Sequence, residues 1–60
     1  MTDVALQKLA DEYMRLEKLL DREKARANVN LTEIRYLEDR MARIELKFQQ
    51  ADADIRQWTT

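Results

Sequence analysis

The chain has 60 residues, and its 11 Lys and Arg nearly balance its 12 Asp and Glu, for a net charge of −1. It contains no Cys and no His, which excludes disulfides and metal sites built from thiolates or imidazoles. No charged tail, secretion signal or membrane-spanning segment can be recognised in it. We therefore expect a soluble, cytoplasmic protein that has no cofactor and no contact with a membrane.

A heptad repeat begins near the start of the chain and predicts a first helix over about residues 3–26. Its apolar positions are separated alternately by three and four residues, the spacing with which one helix packs along another. They are Leu6, Leu9, Tyr13, Leu16 and Leu20. Asn28 follows this segment and is expected to end the helix in the left-handed conformation, which Asn tolerates better than most residues.

The repeat weakens at its centre and predicts a turn over about residues 27–30. Glu23, Ala27 and Asn30 occupy three consecutive positions of the repeat, and none is a good residue for a helix interface. Asn30 is also a favourable helix N-cap, and Glu33 stands where it would complete a capping box. A second helix is therefore expected to start at Leu31.

The second helix is predicted over about residues 31–57, because the repeat resumes there in the same phase. Its apolar positions are Ile34, Leu37, Met41, Ile44, Phe48, Ala51, Ile55 and Trp58. The acid-first pairs Asp39 with Arg43 and Asp52 with Arg56 have the i,i+4 spacing that stabilises helices.

Folding the chain at the turn gives one all-α domain over residues 1–60, an antiparallel helical hairpin. Every predicted layer is then apolar: Leu20 with Leu37, Leu16 with Met41, Tyr13 with Ile44, Leu9 with Phe48, and Leu6 with Ala51. This register also places Glu12 beside Lys47 and Arg26 beside Glu33. Since a core this small seldom supplies more than roughly 3–5 kcal/mol, we expect self-association into a four-helix bundle.

The alternative architecture is a single long helix, paired in parallel with a second copy as a coiled coil. The uninterrupted phase of the repeat is equally compatible with this arrangement. Such a helix would be roughly 80–85 Å long at 1.5 Å per residue.

An enzyme is not expected, because the nucleophiles and bases Ser, Cys and His are all absent. Apolar residues outside the repeat, together with the terminal Trp, instead predict a protein-binding surface. We assign the partner-binding role to Met14, Leu19, Tyr36, Leu46 and Trp58. The predicted function is a non-catalytic interaction module, such as an adaptor, small chaperone, inhibitor or assembly subunit, whose partner is a second copy or another helical protein.

A basic stripe on the first helix supports a different function, that of a small nucleic-acid-binding regulator. The stripe consists of Lys8, Arg15, Lys18 and Arg22. Acidic residues interleave with it and partly cancel its field, so we rank nucleic acid below protein as the partner. A third alternative is a purely structural coiled-coil oligomerisation segment.

Overall fold

The computed structural model describes residues 2–59, and within that range it contains helices and no strand. Helix α1 spans Asp3–Lys24, α2 spans Leu31–Gln50, and the short α3 spans Ile55–Trp58. The two long helices pack against each other through their apolar faces. The predicted all-α helical hairpin is confirmed at this level.

The alternative of one continuous helix is wrong. The molecule measures 40 × 19 × 14 Å, and its longest dimension is about half that of an unbroken 60-residue helix. The chain reverses between Lys24 and Leu31, where the soft layers of the repeat predict the turn.

The end of α1 differs from the predicted geometry at Asn28. The helix ends at Lys24, and its C-cap, Ala25, keeps a right-handed conformation with φ −83° and ψ −5°. Asn28 does not have the predicted left-handed conformation, since Asp52 is the non-glycine residue with positive φ in the described chain. Backbone hydrogen bonds close this end of the helix, from the Ala25 N–H to the Asp21 carbonyl at 3.1 Å and from the Arg26 N–H to the Glu23 carbonyl at 3.3 Å.

Glu23 stabilises the turn and is buried, with 8% of its surface exposed. Its Oε1 accepts a hydrogen bond from the Asn30 backbone N–H at 3.1 Å, and its Oε2 accepts one from Arg26 Nη1 at 3.1 Å. Asn30 caps α2 as predicted, because its Oδ1 accepts from the Glu33 N–H at 3.2 Å. The Asn30 N–H is thus bonded to Glu23, whereas the predicted capping box assigns it to Glu33. Arg26 likewise pairs with Glu23 and not with Glu33.

Helix α2 ends at Gln50, earlier than the predicted end near residue 57. The Ala53 N–H donates to the Phe48 carbonyl at 2.9 Å, and the Asp52 N–H donates to the Gln49 carbonyl at 3.0 Å. These two bonds form a Schellman motif, in which the residue after the C-cap takes the left-handed conformation. Asp52 takes that place with φ 54°.

The chain then turns into α3, which packs against α1 and the end of the core. Asp54 caps α3 by accepting from the Arg56 N–H at 3.0 Å. Arg56 also pairs with Asp54, and not with Asp52 as the i,i+4 pattern predicts, because the helix is broken at Asp52. The Trp58 ring meets the Phe48 ring edge to face, with centroids 6.5 Å apart.

The buried core consists largely of residues from the heptad repeat. Its members are Leu6, Ala10, Leu16, Leu20, Leu37, Ile44 and Phe48. Ala10 lies outside the predicted repeat, yet it is completely buried. Phe48 is 1% exposed, and burying a side chain of this kind contributes about 1.5–3 kcal/mol. The heptad pattern therefore identifies most of the interface between the helices.

Candidate interaction surfaces

Consecutive residues of α1 connect to α2 on opposite sides of the helix interface. Glu12 forms an ion pair with Arg40, although the register predicts Lys47 as its partner. Tyr13 donates a hydrogen bond through its hydroxyl to Glu45 Oε1 at 2.8 Å. Because neighbouring helical residues point about 100° apart, these two connections lie on either side of the buried stripe. The hairpin therefore has two distinct lateral surfaces.

The first surface is an open groove of about 400 Å³, which we call the Tyr36 groove. Its lining is Leu9, Glu12, Tyr36, Asp39, Arg40, Arg43, Ile44 and Lys47. The Tyr36 side chain is 52% exposed, and its hydroxyl accepts a hydrogen bond from Arg40 Nη1 at 2.9 Å. Asp39 and Arg43 form the predicted i,i+4 ion pair at 3.2 Å. The groove thus combines an apolar floor with charges of both signs.

Arg40 joins Glu12 to Tyr36 and stays positively charged. The Arg40 guanidinium lies 5.7 Å from the centre of the Tyr36 ring, a cation–π distance. Hydrogen bonds to Tyr36 and Glu12 raise the pKa of Arg40 above its ordinary value. This side of the groove therefore keeps a fixed positive charge that is already partnered by Glu12.

The second surface, which we call the acidic side, lies next to the Tyr13–Glu45 bond. At about 100° per residue, the α2 residues Leu31, Ile34, Glu38, Met41 and Glu45 share one arc of the helix. On α1 the corresponding arc carries Tyr13, Glu17, Asp21 and Lys24. The carboxylates on both helices are exposed, whereas Tyr13, Ile34 and Met41 are half-buried. The acidic side is therefore an apolar strip bordered mainly by negative charge.

The hydrogen bond to Glu45 and the half-buried setting of Tyr13 change the acidity of its phenol. The hydrogen bond to Glu45, partial burial, and the negative charges of Glu45 and Glu17 raise the pKa of Tyr13 to about 12. Each of these effects disfavours a phenolate beside a carboxylate. The phenol hydroxyl therefore stays protonated and continues to donate to Glu45 far into the alkaline range.

The residues predicted to bind a partner are distributed over several parts of the molecule. Tyr36 lines the Tyr36 groove, whereas Leu19, 41% exposed, lines a second groove nearer the turn. Met14 is half-buried, Leu46 is 52% exposed on α2, and Trp58 is half-buried against Phe48. The structure thus does not bring these five residues together in one patch, and their role in binding stays a prediction.

The residues of the predicted basic stripe are all exposed along α1. Lys8, Arg15 and Arg22 recur every seven residues on one face, and Lys18 lies to one side of them. Arg22 also lines the groove that contains Leu19. Their proposed contact with nucleic acid stays a prediction.

Sequence reasoning did not identify the acidic side as an interaction surface. The heptad pattern assigns Tyr13, Ile34 and Met41 to the helix interface without indicating that each is only half covered. Glu38 and Glu45 recur with the same period, but on sequence alone this indicates only a solvated edge. The sequence signal that could identify this surface is the alternation of apolar residues and carboxylates along one arc of α2.

Comparisons with protein-family models, with curated proteins and with solved structures found no match to this chain. Among residues 2–59, no helix is both long and apolar enough to span a lipid bilayer. The same residues contain no cluster of three or more acidic side chains arranged to hold a metal ion. The function is therefore inferred from the chain's own surfaces.

Proposed function

We propose that this hairpin is a non-catalytic protein-interaction module that associates with a second copy to form a four-helix bundle. The observation that carries this proposal is the incomplete cover of the helix interface. Leu9 belongs to the heptad repeat, yet it is only partly buried and lines the open Tyr36 groove beside Ile44. A pair of helices covers one side of each apolar stripe, and further helices are needed to cover the rest.

The total exposed surface supports the same proposal. The chain has 4792 Å² of accessible surface, whereas a folded monomer of its 7.2 kDa mass typically exposes roughly 4,100 Å². Exposed large apolar side chains contribute to this surface, among them Leu31 at 69% and Tyr36 at 52%. Packing against another helical surface would remove part of this apolar area from water.

We assign the contact between copies to the Tyr36 groove, because its charges are compatible with a two-fold interface. In such an interface the same surface meets itself, so a patch of one sign repels its copy. The groove instead alternates signs, with Asp39 beside Arg43 and Glu12 beside Arg40. Tyr36 provides an exposed aromatic side chain in this groove, and aromatic residues are often found at the core of interfaces.

A module of this kind acts by binding, as an adaptor, small chaperone, inhibitor or assembly subunit. The helix pair provides a rigid support, and its lateral surfaces provide the contacts. We propose the cytoplasm as its location, since the chain has no Cys and needs no disulfide for its fold.

The test is the mass in solution of the variant Y36Q, measured by light scattering and sedimentation over a range of concentrations. The wild-type chain should reach twice its 7.2 kDa mass. The variant should raise the dissociation constant by about tenfold or more, because losing an interface aromatic often costs over 1 kcal/mol.

The matched control is L46Q, which changes an apolar side chain with the same 52% exposure outside the Tyr36 groove. This control should associate like the wild type. A wild-type chain that stays monomeric at high concentration would contradict self-association, and an equal effect of both variants would contradict the assignment to this groove.

A further inference from the structure

We infer that the acidic side binds one amphipathic helix of another protein, whose apolar stripe is flanked by Lys or Arg. The inference rests on the proposed function as an interaction module and adds the chemistry of a second partner. It concerns the surface on the opposite side of the hairpin from the Tyr36 groove.

The floor of the acidic side is suited to the apolar stripe of a helix. Ile34 and Met41 are seven residues apart on α2, and both are half-buried. Tyr13 lies on the α1 side of this surface beside Glu45, and its ring is held in place because its hydroxyl donates to Glu45 at 2.8 Å. Leu31 extends the same arc towards the turn and is 69% exposed. An incoming helix with apolar residues every three or four positions can contact this floor over about two turns.

The borders of the acidic side determine the charge of the partner. Glu38 and Glu45 stand on the α2 border, and Glu17 and Asp21 stand on the α1 border, one turn apart. The basic residues at this surface are Lys24, in the last turn of α1, and Arg35, one turn from Leu31 and Glu38 on α2. A helix with Lys or Arg beside its apolar stripe places cations against both borders, as e and g residues do in coiled coils.

A second copy of this chain fits the acidic side poorly. In a two-fold arrangement, Glu38 and Glu45 would face the same carboxylates of the other copy, and like charges across an interface favour a different partner. In a head-to-tail arrangement, the other copy would offer Arg40 and Arg43, which are each already paired with an acid. It could also offer the basic stripe of α1, but that stripe interleaves with Asp11 and Asp21 and borders no apolar strip that could fill the floor. We therefore assign this surface to a different protein.

The probe is a synthetic three-heptad peptide with Leu at the a and d positions and Lys at e and g. Its counterpart has Glu at e and g, and a second counterpart keeps Lys but has Ser at a and d. Binding of labelled peptides is followed by fluorescence anisotropy. The Lys peptide should bind about tenfold or more tightly than the Glu peptide, because several exposed charge pairs change sign together. The Ser peptide should not bind.

The charge-reversal variant E38K/E45K should exchange this preference and bind the Glu peptide more tightly than the Lys peptide. The matched control D11K/E33K has the same change in net charge, but its exposed positions lie outside both the acidic side and the Tyr36 groove, and it should keep the preference for Lys. A milder variant, E38Q/E45Q, keeps a hydrogen-bond acceptor for Tyr13 and should weaken binding of the Lys peptide. Far-UV circular dichroism identifies the variants that stay folded.

The inference is overturned if the Lys and Glu peptides bind equally, or if D11K/E33K changes the preference as much as E38K/E45K. It is also overturned if the Lys peptide does not bind. If E38Q/E45Q then strengthens association of the hairpin with itself, a second copy occupies this surface. A wild-type chain that is monomeric but binds the Lys peptide would contradict only the self-association described above.

Discussion

The Tyr13 hydroxyl donates a hydrogen bond to Glu45 Oε1 at 2.8 Å, and this bond joins α1 to α2 beside an exposed apolar strip. The bond is formed between residues 32 positions apart in the chain. It therefore reports directly on the packing of the two helices, unlike the hydrogen bonds within each helix.

Removing this bond should destabilise the hairpin modestly. The variant Y13F keeps the ring and loses the hydroxyl, so we expect the free energy of unfolding to fall by about 0.5–1.5 kcal/mol. Urea unfolding at a fixed protein concentration measures the change. In a double-mutant cycle, Y13F/E45Q should lose less stability than the two single variants added together. The losses of Y13F and E12Q should instead add, because these residues do not interact.

Alkaline titration should reveal the raised pKa of Tyr13. The variant Y36F leaves Tyr13 as the single tyrosine, since the chain contains two. Its phenol absorbance should change with a midpoint near 12, well above the ordinary value of about 10. Because the pKa is higher in the folded state, the stabilisation is complete below pH about 10 and is lost as the pH rises through the folded-state value. Y36F/E45Q should titrate at a lower pH, and an unchanged midpoint would show that Glu45 does not hold the proton in solution.

Glu23 should be the most sensitive carboxylate in the chain. In E23A the Asn30 N–H and Arg26 both lose their acceptor in a partly buried turn, and an unsatisfied group of this kind costs about 1–3 kcal/mol. Thermal unfolding of E23A should show a clear loss of stability. E38A, which removes an exposed carboxylate, should change stability by less than about 0.5 kcal/mol. Equal effects of the two variants would contradict the role of Glu23 in the turn.

The left-handed conformation of Asp52 predicts that glycine is favourable at this position. D52G should keep the Schellman motif and raise the free energy of unfolding by about 0.5–1 kcal/mol, because glycine has no Cβ to disfavour positive φ. D52V should lower it and release α3, which a red shift of Trp58 emission would report. Q49G is the control, since glycine within α2 should be destabilising by about 0.5–1 kcal/mol. If D52G and Q49G are equally destabilising, Asp52 is not left-handed in solution.

The helices and the turn could be predicted from the sequence because their signals are local. Asn30 is a strong N-cap, and the apolar spacing from Leu6 to Phe48 indicates the buried faces. The break after Gln50 could not be predicted in this way. Ala51, Ile55 and Trp58 continue the heptad spacing through it, and no glycine marks the left-handed position that Asp52 takes.

The two candidate surfaces depend on information that a heptad pattern does not contain. The pattern assigns Ile34 and Met41 to an interface, but it does not indicate how wide a stripe one neighbouring helix covers. The heptad pattern indicates only that Glu23 is a weak interface residue. Its role as a hydrogen-bond acceptor depends on where the turn places Asn30 and Arg26. The exposed width of an apolar stripe and the partners of a buried carboxylate both depend on which side chains the fold brings into contact.

The placement of Glu12 and Tyr13 next to each other in the chain has a mechanical consequence. Each anchors α1 to α2 on a different side of the interface, through Arg40 and Glu45. Rolling α1 about its own axis in one direction stretches the first connection, and rolling it in the other direction stretches the second. The pair thus fixes the rotation of α1 about its own axis. A partner that approaches from either side encounters the same side chains in the same orientation.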